Sequence, residues 1–280
     1  MVTGMPLLVR AQGGFRKPKT DRVGADFAGT VEAVGRDVTQ FKPGDEVFGG
    51  RTGALAEYVC VREERAIVPK PANLTFEQVA AVPIAALTAL QGLRDKGHLQ
   101  SGQKVLINGA SGGVGTFAVQ IAKALGAEVT GVCSTRNVDT ARSIGADHVI
   151  DYTQEDFTRS DRPFDLMIDI AGSKSWSECK RVLTPEATLV IVGAHARKGN
   201  SFSAGMGHIA LVRLASIRGT RTAVFFIARF NKPDMETLRD LLETGKVSPV
   251  IDRQYSLSEV PEALAYLGEG HARGKVVITV

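Results

Sequence analysis

The segment Lys104–Ala127, KVLINGASGGVGTFAVQIAKALGA, constrains the fold more than any other part of this 280-residue chain. An apolar run, Val105–Ile107, leads directly into a cluster of glycines. The residues after the cluster carry apolar side chains at helical spacing, and Gly126 stands where a helix C-cap glycine is expected. The pattern therefore predicts a strand, a tight turn and a helix in direct succession.

A strand, a glycine turn and a helix make up the first unit of a dinucleotide-binding βαβ fold. Glycines let the backbone approach a pyrophosphate, and the N–H groups at the helix start supply an anion site. A lone glycine motif has little specificity, but Glu128–Cys133 predicts the second strand that such a unit requires. We expect the cofactor to bind at the turn residues Ala110, Ser111, Gly112, Gly113, Val114 and Gly115, where Ala110 replaces the first glycine of the G-x-G-x-x-G pattern.

The composition is that of an ordinary globular protein, with 44% hydrophobic and 23% charged residues. The net charge of +4 is spread along the chain, which argues against a nucleic-acid partner. No apolar run approaches the ~20 residues of a membrane helix, and the start of the sequence does not resemble a signal peptide. Three widely spaced cysteines, Cys60, Cys133 and Cys179, indicate a reducing compartment, so we predict a cytoplasmic protein without a membrane partner.

The remaining pattern predicts two kinds of structure. Between residues 23 and 71, short apolar alternations are interrupted by glycine and proline, which is typical of a small β-rich domain, and Ala56–Val61 is predicted to be one of its strands. After residue 104, continuous apolar strands alternate with helices, which favours a parallel sheet covered on both faces. The predicted domains are 1–83 (β-rich, first part), 84–246 (dinucleotide-binding) and 247–280 (return to the β-rich domain).

Several ordered motifs resemble the medium-chain dehydrogenase/reductase superfamily, and most closely its zinc-independent, quinone oxidoreductase-like branch. The motifs span almost the whole chain: GADFAGTVEAVG at 24–35, FKPGDEVFG at 41–49, AEYV at 56–59, ALTAL at 86–90, GASGGVG at 109–115, IGADHVIDY at 144–152 and GKVV at 274–277. The resemblance implies an α/β protein with a GroES-like catalytic domain and a Rossmann domain, with cofactor and substrate between them.

Two departures from the family pattern bear on chemistry. Zinc-dependent members carry Gly-His-Glu where this chain has Gly24, Ala25 and Asp26, and the four-cysteine structural zinc lobe is missing, so no metal is expected. Family members also begin with further strands and an Asn-Pro-x-Asp segment that borders the nicotinamide. That segment is not found here, which leaves substrate-pocket residues unassigned.

The end of the second strand suggests the identity of the cofactor. NAD-preferring sites place an Asp or Glu there to accept the ribose 2′-hydroxyl, whereas this chain has no acid until Asp139. Ser134 and Thr135 offer hydroxyl groups, and Arg136 offers a planar cation suited to phosphate, so we predict NADPH. The alternative interpretation is that the segment from Ser134 to Asn137 only caps the next helix.

Further cofactor contacts are implied by the resemblance alone. These are Thr88, Tyr152, Ala171, Gly172, Gly193, Ala194, His195, Phe225 and Phe226. Taken as isolated residues, the two phenylalanines would be core residues and His195 a polar loop residue. No catalytic residue is identified. The Tyr-x-x-x-Lys pair of short-chain reductases is missing, because Tyr58 is followed at that spacing by Arg62 and Tyr152 by Asp156.

The sequence thus predicts an NADPH-dependent, zinc-independent reductase of quinones or α,β-unsaturated carbonyls. The alternatives are a metal-free NADP-dependent alcohol or aldehyde oxidoreductase, and a non-catalytic NADPH-binding protein that lacks the N-terminal segment. Family resemblance also implies a homodimer formed through the strand near Ile217–Thr222.

Overall fold

The computed structural model describes residues 23–192 and 220–280. The strands are β1 (Asp26–Thr30), β2 (Glu46–Gly50), β3 (Ile67–Pro69), β4 (Lys104–Asn108), β5 (Glu128–Cys133), β6 (His148–Asp151), β7 (Phe164–Asp169), β8 (Leu183–Ile191), β9 (Thr222–Phe225), β10 (Ile251–Ser256) and β11 (Lys275–Thr279). The helices are α1 (Phe76–Ala80), α2 (Pro83–Leu90), α3 (Gly115–Ala124), α4 (Val138–Ser143), α5 (Trp176–Cys179), α6 (Lys232–Glu243) and α7 (Val260–Gly268).

The described residues fall into two compact units. The first, called the sheet unit here, takes its described residues from Gly92–Ala110 and Leu125–Ile227. The second, called the β-rich unit, takes them from Arg22–Gln91, Ser111–Ala124 and Ala228–Val280.

Among residues 92–110, 125–192 and 220–227, the sheet unit contains one parallel six-stranded sheet in the order β6-β5-β4-β7-β8-β9. The chain adds β5 and β6 on one side of β4, then crosses to β7 and adds β8 and β9 on the other side. This reversal is the topological switch point of a doubly wound fold, next to which such sheets bind ligands. The predicted Rossmann-type parallel sheet is confirmed.

The interior of this unit is mostly apolar. Leu106, Phe164 and Met167 are fully buried and belong to one cluster that extends over the strands and the segment before β8. Burying each such side chain contributes about 1.5–3 kcal/mol. Residues from both faces of β4 and β7 are buried, which explains why these strands are apolar runs rather than alternating patterns.

The β-rich unit contains smaller sheets. Strands β1, β2 and β3 form an antiparallel sheet, whereas β10 and β11 pair in parallel. A small cluster of Phe27, Val47 and Ile67 forms the apolar centre of the three-stranded sheet. Thr75 and Gln78 form a capping box that starts α1.

Some predicted element boundaries differ from the structure. Ala56–Val61 forms no strand; the segment is non-regular and Tyr58 is largely exposed. Helices α1 and α2 are separate, because Pro83 cannot donate a backbone hydrogen bond and starts a new helix at its first turn. Of the strand expected near Ile217–Thr222, only residues 220–222 are described, and Thr222 begins β9.

Candidate functional site

The carboxyl ends of the parallel strands form one edge of the sheet, called the carboxyl edge here. Strands β4, β5, β6 and β7 end there at Asn108, Cys133, Asp151 and Asp169. Three of these four strand-end residues are polar, although the strands themselves are mostly apolar. In open α/β sheets the ligand lies outside this edge, where the turns after these strands carry several of the predicted cofactor residues.

The glycine turn leaves the carboxyl edge directly after Asn108. Gly109 has a φ of +97°, a conformation that side chains of L-residues rarely adopt. The N–H groups of Gly109 and Ala110 both donate to the carbonyl oxygen of Val132, at 3.1 and 3.0 Å, which ties the turn to β5. The position therefore requires glycine for backbone geometry, as the motif predicted.

The second half of the turn belongs to the β-rich unit and leads into α3. The Gly112 carbonyl accepts from the Thr116 N–H at 3.0 Å, so the helical hydrogen bonds begin at Gly112. The first N–H groups of any helix have no acceptor within it and carry a partial positive charge. A Cβ at Gly113 would lie 3.1 Å from Cδ of Lys275 and 3.2 Å from the Gly274 oxygen, so this position is crowded. The half-buried start of α3 and the neighbouring Lys275 fit the pyrophosphate of a dinucleotide.

Two buried polar residues, which the sequence analysis missed, connect the glycine turn with the turn after β7. Nδ2 of Asn108 donates to Oδ1 of Asp169 at 2.7 Å and to Oγ of Ser173 at 3.2 Å. The N–H of Gly172 donates to the same Asp169 oxygen at 2.9 Å. Asp169 thereby fixes the Ala171–Gly172 turn, both of whose residues were predicted to lie near the cofactor. The sequence signal that could have identified these two residues is that Asn108 and Asp169 each end a mostly apolar strand.

The turn after β5 presents the predicted phosphate-binding residues. Nδ2 of Asn137 donates to Oγ of Ser134 at 3.1 Å, and the backbone N–H of Asn137 donates to the carbonyl oxygen of Ser134 at 2.8 Å. Arg136 is exposed, whereas Asn137 is buried. The alternative interpretation was that the segment from Ser134 to Asn137 only caps the next helix. The Ser134 side chain makes no capping hydrogen bond to the turn that follows it.

A carboxylate lies beside that turn. Oγ1 of Thr135 donates to Oδ2 of Asp151 at 2.5 Å, and Thr153 donates to Oδ1 through its N–H at 2.9 Å and its hydroxyl at 2.7 Å. These hydrogen bonds, led by that of Thr135, hold the pKa of Asp151 below its usual value. Sequence reasoning missed Asp151 as part of this site, because it is 16 residues from Thr135 along the chain.

The other predicted contacts have varied environments. The Tyr152 ring is 61% exposed beside this turn, and its N–H donates to the Cys133 oxygen at 3.0 Å. Phe225 packs against the core of the sheet unit, and Phe226 lies next to Gly92. In the β-rich unit, Oγ1 of Thr88 donates to the Ile84 oxygen within its own helix. The predicted residues Gly193, Ala194 and His195 lie outside the described residues.

An ion pair that is largely but not fully buried lies in the β-rich unit, at the position where zinc-dependent relatives have Gly-His-Glu. Oδ2 of Asp26 lies 3.5 Å from Nζ of Lys275, and Oδ1 accepts the N–H of Ile84 at 2.9 Å. Burial raises the pKa of Asp26 despite the opposing effect of Lys275. The pair lines a cavity of about 750 Å³ together with apolar residues of β1 and β11.

The donor set in this part of the chain does not fit a zinc ion. Ala25 has no ligand atom, and within residues 23–192 and 220–280 no three His, Cys, Asp or Glu side chains are placed to hold a metal. Burial raises the pKa of the Cys133 thiol to about 11 and that of Cys179 to about 12, so both thiols stay protonated at neutral pH.

Within residues 23–192 and 220–280, every helix is too short or too polar to cross a membrane.

Two family models match the sequence. "Alcohol dehydrogenase GroES-like domain" matches residues 6–72, and "Zinc-binding dehydrogenase" matches residues 144–278. Despite the second description, the residues described above do not form a zinc site.

Individual relatives have similar sequences over most of the chain. The "NAD(P)H oxidoreductase RTN4IP1, mitochondrial" of Mus musculus is 38% identical, over 92% of this chain and 70% of the relative. The "Quinone-oxidoreductase QR1, chloroplastic" of Triphysaria versicolor is 35% identical, over 90% of this chain and 78% of the relative.

A solved structure, that of the quinone oxidoreductase from Coxiella burnetii, has a TM-score of 0.81 and 31% identity. It covers 97% of this chain and 83% of the solved one. The fold, the sequence identity to these relatives and the glycine turn all indicate the same family. The chain belongs to the medium-chain dehydrogenase/reductase superfamily, in its zinc-independent branch, and is an oxidoreductase that uses a nicotinamide cofactor.

Proposed function

We propose that the protein is an NADPH-dependent, zinc-independent reductase of quinones or α,β-unsaturated carbonyls. The observation that carries the cofactor assignment is the exposed guanidinium of Arg136 on the turn after β5, where the sequence has no acid before Asp139. A planar cation at that turn suits the 2′-phosphate that distinguishes NADPH from NADH.

The acceptor class is inferred from relatives that share most of this chain. They include a quinone oxidoreductase, the "2-methylene-furan-3-one reductase" of Solanum lycopersicum at 35% identity and the "Trans-enoyl reductase pgmF" of Aspergillus terreus at 35%. Each of these names describes a reductase of a quinone or of a carbon–carbon double bond next to a carbonyl or acyl group.

The chain's own residues bind and orient the cofactor. The glycine turn and the first turn of α3 would hold the pyrophosphate, and Ser134 and Arg136 the adenosine phosphate. Asn108 and Asp169 hold the two turns of the carboxyl edge in place. When bound, the reduced nicotinamide supplies a hydride, so the protein contributes placement and exclusion of water rather than a nucleophile.

The test of the proposed activity is NADPH oxidation, followed at the absorbance of the reduced nicotinamide, with a panel of quinones, enones and saturated aldehydes. Turnover with quinones or enones is expected, and saturated aldehydes serve as the matched acceptor without a conjugated double bond. A folded protein that binds NADPH but reduces none of the quinones or enones would contradict the proposal.

The cofactor assignment has its own test. Replacing Arg136→Ala is expected to weaken NADPH binding about tenfold and to leave NADH binding nearly unchanged, because one charge-assisted hydrogen bond contributes about 1.5–3 kcal/mol. Dissociation constants from nicotinamide fluorescence provide the measurement. Arg159→Ala, another exposed arginine of the sheet unit, is the control. An equal loss for both cofactors would assign Arg136 to general charge attraction.

A second candidate activity is metal-free alcohol oxidation. Solved structures titled as alcohol dehydrogenases also match this fold, one of them "NAD-dependent" with a TM-score of 0.80 and 27% identity. Turnover of simple alcohols with NADP⁺ or NAD⁺, at rates above those of quinone or enone reduction, would favour this candidate.

We also propose a cytoplasmic homodimer. The supporting feature is β9, which ends the strand order as far as the structure describes the chain and is followed by the exposed Ile227. An edge strand offers unpaired backbone groups to a second copy. Sedimentation equilibrium should give twice the chain mass, and a monomer at micromolar concentration would contradict the dimer. Fractionation of cells that contain the protein tests whether it is cytoplasmic.

A further inference from the structure

The turn that is proposed to bind the 2′-phosphate has a carboxylate as its neighbour. Strands β5 and β6 pair in register, with Cys133 opposite Asp151 at their carboxyl ends. Asp151 therefore lies one strand away from the point where the Ser134–Asn137 turn begins. Its side chain reaches that turn, since Thr135 donates to it at 2.5 Å.

This contact changes what Thr135 can offer a cofactor. Its hydroxyl proton is directed to Asp151, and its oxygen lies 2.8 Å from the hydroxyl oxygen of Thr153. A hydroxyl has only one proton to donate, so in this arrangement Thr135 presents an acceptor rather than a donor. An acceptor suits the 2′-hydroxyl of NADH, whereas a 2′-phosphate needs donors.

The negative charge of Asp151 also favours NADH over NADPH. Two threonines hydrogen-bond the carboxylate of Asp151, which keeps it ionised at neutral pH. Asp151 would repel a 2′-phosphate that Arg136 attracts, and both residues are solvent-exposed enough for salt to screen the two effects.

We propose that Asp151 is a specificity-determining residue that limits the preference of this protein for NADPH over NADH. It acts through its negative charge and by taking the proton of Thr135. The proposal rests on the proposed cofactor site on the turn after β5. It deepens that function, because the site then balances a cation on the turn itself against a carboxylate from the next strand.

The test compares dissociation constants for NADPH and NADH in the full chain and in Asp151→Asn, which keeps the shape of the side chain and one acceptor oxygen. NADPH binding is expected to tighten about fivefold, the effect of removing one like charge at short range in water. NADH binding is expected to change less than twofold. The NADPH-to-NADH ratio is the readout, because general destabilisation weakens both cofactors together.

Two further variants keep the result interpretable. Asp161→Asn makes the same change of charge in an exposed loop before β7, at the opposite edge of the sheet, and should leave the ratio unchanged. Asp151→Ser removes the charge and keeps a hydroxyl group for the neighbouring threonines, in case the amide variant folds poorly. It should shift the ratio in the same direction.

A ratio in both Asp151 variants equal to that of the unmodified chain would overturn the proposal, and so would an equal shift in Asp161→Asn. Failure of the proposed cofactor site shows itself separately. In that case Arg136→Ala would leave NADPH binding unchanged, or neither cofactor would bind to the unmodified protein.

Discussion

The two compact units use the same carboxylate chemistry in opposite ways. In the sheet unit, Lys174 donates to Asp156 at 2.9 Å, and this hydrogen bond is the main reason that the pKa of Asp156 falls to about 2. In the β-rich unit, burial raises the pKa of Asp26 although Lys275 is its partner. The comparison shows that desolvation decides the direction for a buried pair, whereas hydrogen bonding decides it near the surface.

The interiors of the two units also differ in the polar groups that they bury. Strands of the sheet unit enclose a large apolar cluster. The β-rich unit contains a buried polar network, in which Nε2 of Gln91 donates to Asp234 and to the Arg229 oxygen, both at 2.8 Å. Oε1 of Gln91 accepts the Arg229 N–H at 3.0 Å. The sheet unit also holds the buried Asn108–Asp169 pair, so both units combine apolar packing with paired polar groups.

The largest expected effect tests the apolar core of the sheet unit. Phe164→Ala should lower the free energy of unfolding by about 3–5 kcal/mol, because Phe164 is fully buried and its removal leaves a cavity. Urea denaturation followed by far-UV circular dichroism measures the loss. Phe41→Ala, in the β-rich unit where Phe41 is only partly buried, should cost clearly less. Equal losses would remove this difference between the units.

A smaller loss is expected from the polar network of the β-rich unit. Gln91→Ala should cost about 2 kcal/mol, since it leaves the buried Asp234 carboxylate and the Arg229 backbone with fewer hydrogen bonds. The same denaturation experiment applies. Gln154→Ala, at an exposed position, is the control and should have little effect. If Gln91→Ala were as harmless as the control, the network would contribute nothing to stability.

The pH dependence of stability should have opposite signs for the two carboxylates. Asp26 has a raised pKa in the folded state, so from about pH 4 upward the folded chain holds this proton more tightly than the unfolded chain. The stability of the unmodified chain relative to Asp26→Asn should therefore fall as the pH rises through this range.

Asp156 is the opposite case. Its pKa is lowered to about 2, so its stabilising effect is complete above about pH 4 and is lost as the pH falls towards 2. The stability of the unmodified chain relative to Asp156→Asn should rise with pH over that window, by no more than about 1 kcal/mol for a pair near the surface. Chemical denaturation of each pair at several pH values measures both trends. The same sign in both would contradict the assigned role of burial.

The smallest predicted effect concerns a local interaction that the two units share. Thr75 and Ser175 each form a capping box, with Gln78 and Glu178. Replacing either with alanine should cost about 1 kcal/mol, because both lose the same kind of helix cap. Thermal or urea denaturation gives the values, with Ser143→Ala in an exposed position as the control. A difference above about 1 kcal/mol between the two caps would show that tertiary context dominates them.

Features determined by neighbouring residues could be read from the sequence. The glycine turn and the parallel sheet were predicted correctly, because backbone geometry and strand burial leave local patterns. The strand predicted at Ala56–Val61 was wrong. Short apolar stretches occur in loops as well as in strands, and only tertiary pairing distinguishes them.

The tertiary structure alone decided which polar groups meet. Thr135 and Asp151 are 16 residues apart, Asn108 and Asp169 are 61 apart, and Asp26 and Lys275 are 249 apart. No local periodicity encodes such pairs, because they depend on strand order, register and side-chain direction. The sequence by itself determined a glycine turn and a family of oxidoreductases. Only the folded chain placed a carboxylate beside the turn proposed to select the cofactor and buried another carboxylate against a lysine.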